Sequence, residues 1–230
     1  MHNRWSYTKP RFSYILNHAL ETVKRDMTPR PRKVSDEQIF RAAHRVMERF
    51  GPTQWTLAEV AAEAGLTAGA IVQRFGSKRD LQLALMQGLE DLPRETFARL
   101  RAEHSSPLAT LHAYADCVAA MGESPGGLAH HLGYLQLDLT DPDFHRHLTK
   151  YSAATSAEIR ALLDEAVAAR ELEPVDTRAL ARVIEAILTG SLVAWSIYQE
   201  GSARAWLDAD LDVVLRPYRS QQYMDDSTKP

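Results

Sequence analysis

The segment Thr56–Phe75, TLAEVAAEAGLTAGAIVQRF, most restricts what this chain can become. Leu57, Val60, Ala61 and Ala64 fall at helical spacing and make a short apolar face that stops at Gly65. Leu66 and Thr67 lead into a second short helix, Ala68 to Phe75. Glycine permits the tight turn, and Ala61 and Ala64 let the second helix come close. Two short helices joined this way read as a helix-turn-helix, in which residues near the start of the second helix face base edges in the major groove.

The flanking sequence extends the helical reading. Ser35 is placed to cap a helix whose first turn holds Asp36 and Glu37, and Ile39, Ala42, Ala43, Val46 and Phe50 follow at helical spacing. Gly51-Pro52 ends it. After Gly76, Ser77 caps a fourth helix carrying Leu81, Leu85 and Leu89. Beyond Pro93 the turn signals separate helices expected over Pro107–Met121, Leu128–Leu139, Asp143–Arg170, Asp176–Gln199 and Ala203–Tyr218. No alternating strand pattern appears, so the expected class is all-α.

Charge is unevenly spread. The net charge is -3, which alone argues against a nucleic-acid binder, yet residues 1–80 hold 14 Lys/Arg against 8 Asp/Glu and residues 81–230 hold 13 against 22. A basic head on an acidic body suits a protein that offers one face to phosphates. Arg30, Arg32 and Lys33 lie in a proline-broken stretch, and residues 1–34 are expected to be a flexible basic arm able to reach phosphates or a minor groove. The polar segment 220–230 is expected to be a disordered tail. One cysteine, Cys117, excludes an intramolecular disulfide and favours a reducing cytosol. Arg11, Asn17, His18 and Glu21 interrupt any leader-like run, and no stretch is expected to reach the roughly 18 apolar residues of a membrane span. The expected location is cytoplasmic, with no membrane partner.

Phe50-Gly51, Thr56, Ala61, Ala64-Gly65-Leu66-Thr67, Gly69, Ile71, Phe75, Ser77-Lys78 and Leu81 together resemble, in order and spacing, the signature of the tetracycline-repressor (TetR) family. The resemblance is close over residues 35–90; beyond that only helix lengths fit. It implies an N-terminal three-helix helix-turn-helix domain (35–82) and a C-terminal helical effector-binding and dimerisation domain (83–219). It implies core roles for Leu66, Ile71 and Phe75. Thr56 and Thr67 would cap helices and meet phosphates, while Ala68, Gly69, Ala70, Val72 and Gln73 would face bases or the groove wall. Lys78 is similar to the family's phosphate clamp. The chain departs from the family at Val72, where tyrosine is usual, and at Arg74, where histidine or tyrosine is usual. Valine removes a hydroxyl contact and arginine adds a charge for phosphate or guanine. Base reading is then expected to lean on thymine methyls, on Gln73 with adenine, and on DNA shape.

The resemblance also implies a homodimer, a double-stranded DNA operator and a small-molecule effector, hydrophobic or aromatic in character. Leu180, Ile184, Ile187, Ser191, Trp195 and Tyr198, widened by Val183, Leu188 and Leu192, would form one dimerisation stripe, and Trp206, Leu211, Val214, Leu215 and Tyr218 the other. Candidate effector-lining residues are Tyr114, Cys117, Val118, Met121, His131, Leu135, Tyr151, Ile184 and Trp195. Repression released by the effector is the default mechanism. No metal or cofactor is expected: His130 and His131 diverge on a helix, and Asp141 and Asp143 read as the cap and first-turn acid of the next helix. Zinc-helix, nucleophile-elbow and phosphate-loop motifs are absent, so no enzyme is expected. The alternative is a helical partner-binding adaptor that does not use its motif on DNA.

Overall fold

A computed structural model describes residues 34–122 and 125–220. Apart from one antiparallel bridge between Leu172 and Arg219, the regular structure among them is helical. The order is α1 (Asp36–Gln54), α2 (Leu57–Glu63), α3 (Ala68–Phe75), α4 (Lys78–Gly88), α5 (Leu92–Glu103), α6 (Pro107–Ala120), α7 (Pro125–Thr140), α8 (Pro142–Ala168), α9 (Thr177–Tyr198), α10 (Ala203–Leu215) and a 3₁₀ turn at Arg216–Tyr218. The basic stretch with Arg30, Arg32 and Lys33, and the tail from residue 221, lie outside the described residues.

Side-chain chemistry starts these helices. Ser35, Thr56 and Ser77 each accept the N–H three residues on, while Gln38, Glu59 and Asp80 return a bond to the cap's own N–H. A cap of this type contributes about 1 kcal/mol. Thr67, Ser106, Asp176 and Ser202 cap α3, α6, α9 and α10. Two starts differ from expectation, and proline explains both. Pro93 lies in the first turn of α5, a helix without a counterpart among the expected ones, and α7 begins at Pro125 rather than Leu128. A first-turn proline loses no hydrogen bond, so it opens a helix as readily as it breaks one.

Two apolar clusters organise the chain. The head core joins Ile39, Val46, Trp55, Val60, Ile71 and Leu81 from α1 to α4, and runs on to Leu85, three residues beyond the expected boundary at 82. The body core joins Phe97, Leu111, Ile159, Leu163, Ile184 and Leu207 from α5, α6, α8, α9 and α10. Full burial of each such side chain contributes roughly 1.5–3 kcal/mol.

Helix α9 corrects two expectations. Leu180, Ile184 and Ser191, read as part of a dimer stripe, are 5%, 0% and 7% exposed and face the chain's own core. The outward side carries Val183, Ile197 and Tyr198, joined by Val213 of α10. A helix apolar on two sides gives periodicity no means of telling inward from outward. The same composition makes α9 long and apolar enough to cross a membrane, with a mean hydropathy of 1.5, contrary to the expectation that no stretch would qualify. In this fold that hydropathy is divided between the core seam and the outward face.

The head and body are joined by polar contacts. Arg79 of α4 donates to both oxygens of Asp141 at 2.9 Å and to Asp143 at 2.7 Å, with its guanidinium over Phe144. Glu90 bonds His147 at 2.5 Å and Lys150 at 3.1 Å, and these partners hold its carboxyl below the usual range. From α7, His130 Nδ1 lies 3.1 Å from the Glu48 carbonyl oxygen. Its ring fills a notch at Gly51, where φ is +74° and an added Cβ would meet the ring at 2.9 Å. Gly51→Ala is therefore expected to lower stability by about 1–3 kcal/mol in denaturant unfolding.

Asp138 of α7 is buried with burial as the cause holding its carboxyl up at about 6. Its folded value exceeds the ordinary 3.8, so the contribution of Asp138 itself to stability is greatest below about pH 4 and falls as pH rises through 6. Asp138→Asn should raise stability at pH 7 by no more than about 3 kcal/mol and by almost nothing at about pH 3, read from paired melting curves.

Candidate nucleic-acid interface

Helix α3 has eight residues and is too short to persist alone, so its neighbours must hold it. Ile71 is fully buried, and Leu66 and Phe75 pack half-buried against the head core, with the Phe75 ring 5.7 Å from Phe40. The opposite side is open. Ala68, Gly69, Val72, Gln73 and Arg74 are exposed, Ala70 is half-buried, and Val72 keeps 47% of its surface in solvent. Thr56 and Thr67 are exposed at the caps of α2 and α3, at the helix ends whose first amides have no partner within the helix.

The two cations expected at the interface are engaged within the head. Arg74 donates to the Val34 carbonyl at 2.6 Å and its Nε lies 2.5 Å from Asp36, which ties the C-terminal end of α3 to the start of α1. Lys78 is half-buried, donates to the carbonyls of Thr53 at 2.9 Å and Trp55 at 2.7 Å, and sits 4.4 Å from the centre of the Trp55 ring. Burial lowers its pKa. In this geometry Lys78 braces the α1–α2 connection, a role its sequence neighbourhood did not show, because its partners lie 23 and 25 residues away.

The expected effector-lining residues divide into groups. Val118 and Ile184 are buried in the body core, and Tyr114, Met121 and Trp195 pack against it. Tyr114 stacks obliquely on Phe97 at 4.5 Å, and burial drives its hydroxyl well above its ordinary pKa. Burial also raises the Tyr151 hydroxyl and the Cys117 thiol. Trp195 Nε1 donates to the Gly201 carbonyl at 3.3 Å, toward the α9–α10 turn. His131 and Leu135 are half-buried on α7, and burial lowers the His131 pKa. Sequence reasoning missed Phe97, Thr155 and Glu185 beside this group; Glu185 has a raised pKa from burial, and an acid inside an apolar helical stripe was its only signal. Two cavities lie elsewhere. One of about 710 Å³ lies among Val167, Arg170, Leu172, Pro174, Pro217 and Arg219, and one of about 390 Å³ among His104, His112, Asp116, Arg204, Asp212 and Arg219. Among the described residues no group of three or more His, Cys, Asp or Glu side chains is placed to hold a metal.

The fold and the exposed helix define an all-helical protein with a helix-turn-helix head and a larger helical body. Residues 39–85 match the bacterial regulatory proteins of the tetR family. The HTH-type transcriptional regulator BetI of Stenotrophomonas maltophilia (strain R551-3) is 34% identical over 70 residues, which span 30% of this chain and 36% of that protein. The fold as a whole is similar to a TetR transcription regulator from Haloarcula marismortui ATCC 43049 (TM-score 0.66, 16% identity, 80% of this chain and 98% of that one). It is similar also to FadR from Bacillus subtilis in complex with stearoyl-CoA (0.60, 16%, 79% and 98%) and to the ketosteroid transcriptional regulator KstR2 of Mycobacterium tuberculosis (0.55, 16%, 83% and 98%). By its head over residues 39–85 and by its overall fold, the chain is similar to the TetR family of bacterial regulatory proteins.

Lys78→Met keeps the apolar stem but removes both bonds to the Thr53 and Trp55 carbonyls. It should lower the stability of the purified protein by about 1–3 kcal/mol, read as a shift in the denaturant midpoint.

Proposed function

We propose that the chain is a dimeric, ligand-responsive transcriptional regulator, a repressor that leaves a palindromic operator when a hydrophobic or aromatic effector binds its body. The observation that carries this reading is the division of α3: Ile71 is wholly buried while Gly69, Val72 and Gln73 stand exposed beside the capped starts of α2 and α3. That arrangement presents one helix face and two sets of backbone amides to a duplex.

Dimerisation is supported by the outward stripe of Val183, Ile197 and Tyr198 on α9 with Val213 on α10, which this chain leaves exposed. Exposed apolar rows on adjacent helices suit a four-helix interface between two copies. A two-fold pair then sets the spacing of the recognition helices to successive major grooves. Effector binding near Tyr114, Tyr151 and Trp195 suits a ligand that buries a large apolar part, as the acyl chain of the stearoyl-CoA in the FadR structure would be. Helix α7 supplies the link: it packs on α8 of the body and carries the half-buried His131 and Leu135, while His130 and Tyr134 meet Gly51 and the Trp55 side chain of the head. An effector that prefers a shifted α7 weakens DNA binding by the same factor that DNA weakens the effector.

Selection of bound sequences from random duplex DNA should return a two-fold symmetric site. Gln73→Ala should then relax preference at one position per half-site by about 1–3 kcal/mol. Unchanged preference removes Gln73 from the reading surface. Replacing Val183 and Ile197 by lysine should yield a folded monomer in sedimentation, with operator affinity reduced at least about ten-fold. A persistent dimer would place the interface elsewhere.

A further inference from the structure

Where α9 packs on α6 and α8, the body holds a half-buried acid without a cation to match it. Glu185 follows the fully buried Ile184 on α9, and its hydrogen bond comes from the Ser156 hydroxyl of α8. Among the described residues it makes no ion pair. Arg99 of α5, which reaches Cys117 of α6, is already paired with Glu103 at 3.0 Å. Partial burial without a countercharge disfavours the ionised carboxylate, so this position is one the fold alone gives no reason to make acidic.

The groups beside Glu185 add acceptors and aromatic faces. Tyr114 of α6 lies close enough for Glu185 to oppose ionisation of its hydroxyl. That hydroxyl meets Thr155, whose own proton goes to the Tyr151 carbonyl at 3.1 Å, so Tyr114 donates and Thr155 accepts. With its proton spent, the Tyr114 oxygen retains only acceptor capacity. The Tyr114 ring lies 4.5 Å from Phe97. Tyr114 and Tyr151 keep accessible surface although burial drives both hydroxyls up, so their open sides line a cleft within the body. A carboxylate, a proton-spent phenol and ring faces all attract positive charge, whereas an anionic head group would stand against Glu185.

We infer that this cleft takes an organic ammonium ion, with Glu185 as its countercharge, the Tyr114 oxygen as a second acceptor and the Tyr114 and Phe97 rings against its apolar part. The inference rests on the effector-binding reading of the body and narrows it: the ligand is apolar in bulk and positive at one end. Ser156 is a positioning residue that holds the Glu185 carboxylate at the seam of α8 and α9.

The test uses three probes matched in chain and different in head charge: decyltrimethylammonium, decanol and decanoate. Each is titrated calorimetrically into the full chain and into Glu185→Gln, which keeps the size of the side chain and an acceptor for Ser156. The full chain should bind the ammonium at least about ten-fold more tightly than decanol, and decanoate most weakly. Glu185→Gln, its fold checked by circular dichroism, should lose that preference while its affinity for decanol changes less than about two-fold. Equal or tighter binding of decanol or decanoate by the full chain overturns the inference without recourse to any variant. An ammonium preference that survives in Glu185→Gln is general attraction to the acidic body and overturns it as well, as does failure of all three probes to bind. Anisotropy of the selected operator duplex with probe-free protein separates the two readings. Operator binding without ammonium preference removes the cation site and leaves the regulator standing, whereas ammonium preference without operator binding supports the cation site and removes the regulator.

Discussion

An eight-residue helix cannot hold its own shape in water, so whatever α3 does depends on how it is fastened. Ile71 anchors it in the head core, Thr67 closes its first turn, and Gly76, at φ +88°, turns the chain out of it. Arg74 then ties its far end to the first residues of α1. These four attachments use one side and both ends of the helix. The remaining side is therefore rigidly presented and contains almost nothing except small residues, Val72 and Gln73. Such a surface approaches a duplex closely but carries little charge, which is why the source of phosphate attraction becomes a separate question.

The same economy governs the junction between head and body. Arg79 sits at the start of α4, and its two carboxylate partners are the cap and first-turn acid of α8. His130 and Tyr134 reach from α7 to Gly51 and Trp55, and Trp55 lends its carbonyl and ring to Lys78 next to Arg79. Contacts from two body helices thus converge on one short stretch of the head. A displacement of α7 has a direct physical route to the seat of α3, through packed side chains and not through the backbone alone.

What the sequence made legible was local chemistry. Ser35, Thr56, Thr67 and Ser77 cap helices as their neighbours imply, and Ile71 is buried as the motif implies. Pro93 concealed α5 because proline has the same appearance at a helix start and at a helix break. The face of α9 was misassigned because both of its faces are apolar and only the neighbouring helices decide which is covered. The partners of Lys78 and Arg79 lie 23 to 64 residues away, beyond the reach of any spacing argument, so the brace at Lys78 and the head–body tie at Arg79 were not legible in the sequence. Charge asymmetry was legible from counting alone; the structure adds that Arg45, Arg74, Lys78 and Arg79 of the head are engaged within the fold.

The most direct measurement of the central claim is amide hydrogen exchange of the full-length protein with and without the selected operator duplex. The account predicts slowed exchange at the amides of Ala68 to Gln73 and at the start of α2, where the exposed face and the capped N-termini meet DNA. Protection confined to α9 and α10, with α3 exchanging at the same rate in both samples, would contradict it.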